Sequence, residues 1–151
     1  MNNADNPVTI FTMGFAKKDA EKFFKILKAA GVKKLIDVRL NNVSQLAGFT
    51  KKNDLKFFLK EICDIAYEHR PEFAPTKEIL DAYKKKEMTW ETYEEKYNKL
   101  LTEREASTRI TPEQLNGGCF LCSEPTANKC HRRLLAEYFK GEFEGVNIVH
   151  L

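Results

Sequence analysis

The sequence predicts a single three-layer α/β domain over residues 1–151, with a largely parallel sheet flanked by helices, and three observations carry that expectation. Short β-rich apolar runs alternate with stretches of helical periodicity. Glycine and proline fall at the joints between them. Nothing along the 151 residues repeats, and no stretch shifts in composition as an interdomain linker does. With 42% hydrophobic residues, a chain of this length can bury one sizeable core.

The elements follow in order. Residues 8–13 form an apolar, β-branched run that stops at Gly14. Asp19 then opens a helix whose apolar positions are Phe23, Phe24, Ile26, Leu27 and Ala30, and Gly31 stands where a C-cap glycine belongs. Residues 32–39 read as a second strand, which completes a right-handed βαβ unit with a parallel pair. A loop over 40–50 carries Asn41, Asn42, Ser44, Gln45 and Gly48, after which Asn53 or Asp54 caps a helix through Leu55, Phe57, Phe58, Leu59 and Ile62. Residues 65–69 make a third strand. Pro71 and Pro75 break the pattern, and 77–105 hold two helices rich in Lys, Glu and Tyr, an expected helical insertion before the last βαβ unit. Gly117 and Gly118 precede a short strand at 119–122. A closing helix begins between Thr126 and Cys130 and buries Leu134, Leu135, Tyr138 and Phe139, and 146–150 form the final strand.

Composition narrows the function classes. The 25 basic and 22 acidic residues are spread along the chain, so the net charge of +3 does not mark a dedicated nucleic-acid surface, although a local basic patch is compatible with it. No apolar run approaches the roughly 20 residues of a membrane span, and residues 1–7 lack the basic and apolar regions of a signal peptide. The expectation is a cytoplasmic protein with no membrane partner, whose four cysteines (Cys63, Cys119, Cys122, Cys130) are thiols rather than a disulfide framework.

Ligands of open α/β sheets bind beyond the carboxyl ends of the strands. Three segments place polar residues at such ends: Gly14 after the first strand, Asp37 and Arg39 after the second, Cys122 and Glu124 after the fourth. If these strands are neighbours, the residues converge on one rim. The start of the closing helix adds backbone N–H donors there, Arg132 adds a planar fork for a carboxylate or phosphate, and the same field would favour a thiolate at Cys130. The expected catalytic residues are therefore Cys122 or Cys130 as reactive thiol and Glu124 or His131 as proton carrier, with Asp37, Arg39, Ser44 and Arg132 as ligand-binding residues.

At these residues the sequence resembles the domain-of-unknown-function 488 family. The resemblance rests on Thr12-Met13-Gly14, on residues 35–39 with Ser44 following, on Tyr67 and His69, on Leu121-Cys122-Ser123-Glu124 and on Cys130-His131-Arg132, and it extends from about Ile10 to His150. It implies the α/β fold and the gathering of Asp37, Arg39, Ser44, Cys122, Glu124, Cys130, His131 and Arg132 at one site. It supplies no reaction. The family's usual His-Ser stands as Phe15-Ala16 here, and its Leu-Gly-Gly segment as Arg70-Pro71-Glu72-Phe73.

The leading reading is thus an enzyme acting on a small anionic or nucleotide-type ligand at a Cys/Glu/His/Arg site. One alternative is a non-catalytic module for nucleic acid or an anion, with the aromatic and basic residues of 83–97 stacking on bases; against it, Trp90, Tyr93, Tyr97 and Leu101 recur at core-facing helical spacing. Another is rhodanese-like sulfur transfer, suggested by the Leu-Ile-Asp-Val-Arg string, although Cys122 and Arg132 are ten positions apart. Asp37 and Arg39 face the same side of their strand and could form a plain structural ion pair. No cofactor is expected and no metal is assigned. Cys119 and Cys122 point to opposite faces of their strand, and the adjacent Cys130 and His131 make an awkward pair for one tetrahedral ion, so a structural metal holding the last helix stands as a minor alternative. Cys63 and Cys119 read as core. The sequence names no oligomeric state.

Overall fold

Strand β1 (Val8–Gly14) sits inside the sheet because its partners come from the far end of the chain: β4 (Gly118–Cys122) on one side and β5 (Val146–His150) on the other. Strand β2 (Lys34–Asp37) pairs with β4 and with β3 (Ala66–His69), giving an all-parallel sheet of order β3-β2-β4-β1-β5. The computed structural model describes residues 6–43, 48–124 and 126–151, so Ser44 lies outside the described residues.

Local sequence sets most helix ends. Helix α1 (Ala20–Ala30) starts at Asp19, whose carboxylate accepts from the Lys22 amide at 2.8 Å, and it stops at Gly31, which adopts φ 75° as only glycine does cheaply. Helix α2 (Lys52–Phe58) runs into a π-type turn, Leu59–Cys63. Its N-cap is Lys51, with no side-chain cap bond, rather than Asn53 or Asp54. The reason is tertiary: the Lys52 amide donates to the Asn42 carbonyl at 2.8 Å, so a distant loop satisfies a donor that a local side chain would otherwise cap. Helices α3 (Lys77–Lys84) and α4 (Trp90–Glu103) begin at Thr76 and Thr89, and α5 (Pro112–Leu115) at a Thr111/Gln114 capping box. Helix α6 (His131–Glu142) starts at Cys130, the last position of the expected interval.

Strand alternation divides the core in two. Ile10, Ile36, Val38 and Phe120 face α3 to α6, packing with Tyr97, Leu135 and Phe139, whereas Met13, Leu35, Cys119 and Leu121 face α1 and α2 with Phe23, Leu27 and Leu55. This gives the expected three layers, with the helical insertion between β3 and β4. Tyr97, Leu101 and Tyr93 are core, as their spacing foretold. The buried Tyr97 hydroxyl donates to the Phe73 carbonyl at 2.5 Å, and Arg104 donates to the carbonyls of Glu72 and Ala74 at 2.7 Å each. The Pro71–Phe73 turn after β3 is thereby fastened to α4. No helix among the described residues is long and apolar enough to cross a membrane.

Because the helices following β1 and β2 go to one face and the helix following β4 to the other, the chain diverges above β2, β4 and β1. A crevice at that switch point is where such a sheet receives ligands.

Candidate functional site

The strand order makes β4 a neighbour of both β1 and β2, so the three expected rim segments do meet. Parallel pairing even continues past the strands: the Phe15 amide donates to the Cys122 carbonyl at 3.2 Å and the Ala16 amide to the Ser123 carbonyl at 2.9 Å. Glu124 then crosses directly over Gly14, where a side chain would strike its carbonyl.

Asp37 and Arg39 form a buried pair. Arg39 Nε and Nη2 each donate to the Asp37 carboxylate at 2.8 Å, and the Tyr67 hydroxyl donates to the same group at 2.5 Å. Burial alone would raise the Asp37 pKa, but the Arg39 hydrogen bonds and charge, with Tyr67, outweigh it and hold the carboxyl below its ordinary value. Burial and Asp37 together push the Tyr67 phenol upward. Arg39 also donates through Nη2 to the Thr50 carbonyl at 2.7 Å and lies over the Phe15 ring at 5.5 Å. Its Nη1 is the only buried side-chain nitrogen or oxygen among the described residues without a hydrogen-bond partner. The ion-pair reading of these two residues therefore holds, with one donor left over.

Arg132 is placed differently from expectation. It is 1% exposed and does not line the cleft described below; Nε donates to Thr12 Oγ1 at 3.3 Å, and Nη1 to the Glu124 carbonyl at 2.8 Å and to Cys122 Sγ at 3.3 Å. Helix α6 aims it inward, beneath the rim, so it braces the site rather than offering its fork to solvent. Thr12, which sequence reasoning passed over, is fully buried and links Arg132 to His150 Nδ1, 2.6 Å from its hydroxyl. A hydroxyl inside an apolar strand run was the available signal.

Cys122, Cys130 and His131 come together. Both sulfurs and a ring nitrogen of His131 lie within 4.8 Å of one another. Adjacent Cys130 and His131 reach the same place because the helix starts between them. Cys130 is extended (φ −142°, ψ 141°), His131 is the first helical residue, and the bend brings both side chains to Cys122. The two sulfurs are bonded to each other in this structure, so Cys63 and Cys119 alone are free thiols, against the expectation of four; yet the Cys122 and Cys130 Cα atoms are 7.7 Å apart, outside the roughly 4.4–6.8 Å that a disulfide ordinarily spans. His131 Nε2 lies 2.9 Å from the Val38 carbonyl, which makes it the protonated nitrogen and leaves the lone pair on Nδ1. Burial pushes the His131 pKa down to about 4 despite that hydrogen bond, so the ring is neutral near pH 7. Cys119 is buried among the α1 and α2 contacts and its thiol is pushed up by that burial; Cys63 is partly buried, its sulfur 3.5 Å from the Phe24 carbonyl. Neither belongs to the site.

Above the rim lies a cleft of about 1070 Å³. Its floor holds Arg39, Cys122, Glu124 and His131, with Lys129 beside them, and its wall is Leu80, Tyr83, Met88 and Trp90 from α3, α4 and the segment between. Trp90 stacks on Tyr93, ring centroids 4.9 Å apart, and so stands at the edge of the core stripe, where it joins core to cleft. Asp37 is fully buried below this floor.

Fold and rim together define an α/β domain with a cysteine and histidine centre at the switch point of a parallel sheet. The chain belongs to the family described as "Domain of unknown function DUF488", whose model matches residues 19–139. No curated protein and no solved structure matches it.

Proposed function

We propose that this chain is an enzyme acting on a small anionic, nucleotide-type ligand at a thiolate centre. The observation that carries the reading is Arg132. A guanidinium at 1% exposure needs a compensating anion, and its partners are a hydroxyl, a backbone carbonyl and the Cys122 sulfur. Of these, Cys122, once its bond to Cys130 is reduced, is the one that can carry a negative charge. Cys130, at the N-terminus of the twelve-residue α6, gains from the helix dipole in the same direction. Glu124, exposed on the cleft, is the proton carrier, since the buried His131 ring is held on the Val38 carbonyl. The unpartnered Nη1 of Arg39 and the aromatic wall suit a ligand with a negative group at one end and a flat ring at the other.

The thiolate is tested by its ultraviolet absorbance in reduced, chelator-treated protein, read as the difference between wild type and Cys122→Ala across pH. The expected midpoint lies at least a unit below the ordinary thiol value of about 8.5 and rises by a unit or more in Arg132→Met. A midpoint at or above the ordinary value would remove the thiolate. The ligand is tested by thermal unfolding: a nucleoside monophosphate at about 100 times its dissociation constant should raise the midpoint by roughly 5 °C or more, and Trp90→Ala should abolish the shift. Equal stabilisation by inorganic phosphate would discard the nucleotide part, and no shift with either would discard the anion.

A further inference from the structure

We propose that Cys122, Cys130 and His131 bind one zinc-class divalent cation, whose remaining coordination position opens on the cleft. The inference deepens the reading above, on which it rests for its thiolates, and gives them the role of ligands in the loaded protein.

Four features of the geometry support it. The donors are two sulfurs and one imidazole nitrogen, the set that zinc and its soft neighbours prefer, and they lie within 4.8 Å of one another. The wide 7.7 Å separation of the Cys122 and Cys130 Cα atoms, which does not suit a direct bond between the sulfurs, suits two thiolates that share an ion at about 2.3 Å from each. His131 holds its Nε2 proton on the Val38 carbonyl, which fixes the ring and leaves the other nitrogen free to coordinate, the outer-shell arrangement that metal-binding histidines use. Arg132 supplies a second outer-shell contact through its donation to Cys122 Sγ.

Three protein ligands leave a tetrahedral ion one short, and that pattern belongs to reactive rather than purely structural sites. Cys122 and His131 both line the cleft, so the fourth position faces it. The charges choose its occupant. Two thiolates neutralise the ion, the Asp37–Arg39 pair is internally neutral, and Arg132 with Lys18 and Glu124 near it adds a net positive charge. Hydroxide or the anionic group of the ligand completes both the coordination and the charge balance.

The test uses reduced, chelator-treated full-length chain titrated with cobalt(II) and, separately, zinc(II). Expected are one equivalent bound per chain, a thiolate-to-cobalt charge-transfer band, and binding weakened roughly 100-fold or more in Cys122→Ser and Cys130→Ser. Cys63→Ser, outside the cluster, should bind as wild type does, and circular dichroism of each variant separates lost ligands from lost folding. Absence of the charge-transfer band from folded wild type overturns the proposal, as does wild-type cobalt affinity in folded Cys122→Ser. The two readings fail separately: a low Cys122 midpoint without cobalt binding removes the metal and keeps the thiolate, whereas cobalt binding with an ordinary midpoint removes the preformed thiolate and keeps the metal.

Discussion

Gly14→Ala is expected to lower the thermal midpoint by roughly 10 °C and to abolish the chemistry of the rim. The cause is space, not conformation. A Cβ at position 14 would lie 1.5 Å from the Glu124 carbonyl oxygen, 2.6 Å from its carbon and 3.0 Å from Arg132 Nη1. Backbone cannot give way as a flexible side-chain end can, so the segment at 123–124 must lift off β1. Forced overpacking costs about 1–3 kcal/mol and more where backbone has to move, which for about 150 residues corresponds to the stated shift at 2–4 °C per kcal/mol. Lifting that segment also removes an acceptor from the buried Arg132 and displaces Cys122 from Cys130 and His131. Gly141→Ala supplies the opposite control. It lies inside α6 with nothing within 4 Å of an added Cβ, and alanine there should stabilise by up to about 1 kcal/mol. Differential scanning calorimetry of the two variants reads both signs, and an unchanged midpoint for Gly14→Ala would sink the account of the rim.

That contact shows where sequence reasoning succeeds and where it stops. Gly14 was legible as the end of a strand, because a β-branched run followed by glycine is a local signal; that Glu124, 110 positions later, crosses over it is not local at all. The same division runs through the fold. Asp19 and Gly31 bound α1 as read, since a cap acts through its own neighbours. The start of α2 falls elsewhere because the Asn42 carbonyl, not a neighbouring side chain, meets its first donor, the Lys52 amide. The meeting of the Gly14, Asp37 and Cys122 strand ends on one rim followed from the strand pattern, but the orientation of Arg132 did not. Whether a residue on the first turn of a helix points at ligand or beneath the sheet depends on which face of the helix packs, and here that is set by Thr12 and the Glu124 carbonyl. Adjacent Cys130 and His131 read as an awkward pair for one tetrahedral ion because spacing alone does not show the bend between them. That bend at the N-cap, a feature of geometry, brings both side chains to Cys122.

Asp37→Asn should cost about 3–5 kcal/mol of folding free energy at neutral pH, the usual range when one member of a buried ion pair is removed. Asp37 is fully buried, and its two oxygens accept from five donors: the Arg39 amide, Nε and Nη2, Asn42 Nδ2 and the Tyr67 hydroxyl. An amide must set a nitrogen against some of those donors and leaves the Arg39 guanidinium, 5% exposed, without its counter-charge. Replacing both partners by apolar residues, Asp37→Leu with Arg39→Met, should recover most of the loss, because desolvation of the pair is then no longer required. Ligand binding should be lost in that double variant if Arg39 Nη1 meets the ligand. The pH dependence fixes the mechanism. Because the folded-state pKa of Asp37 is depressed, its contribution is fully present above the unfolded value of about 3.9 and disappears as the pH falls through the folded value. Urea unfolding of wild type and Asp37→Asn should therefore show a constant gap from pH 7 down to about 5 and a narrowing one below about 4. A gap that stays constant into acid would mean that the cost arises from packing and not from the charge on Asp37.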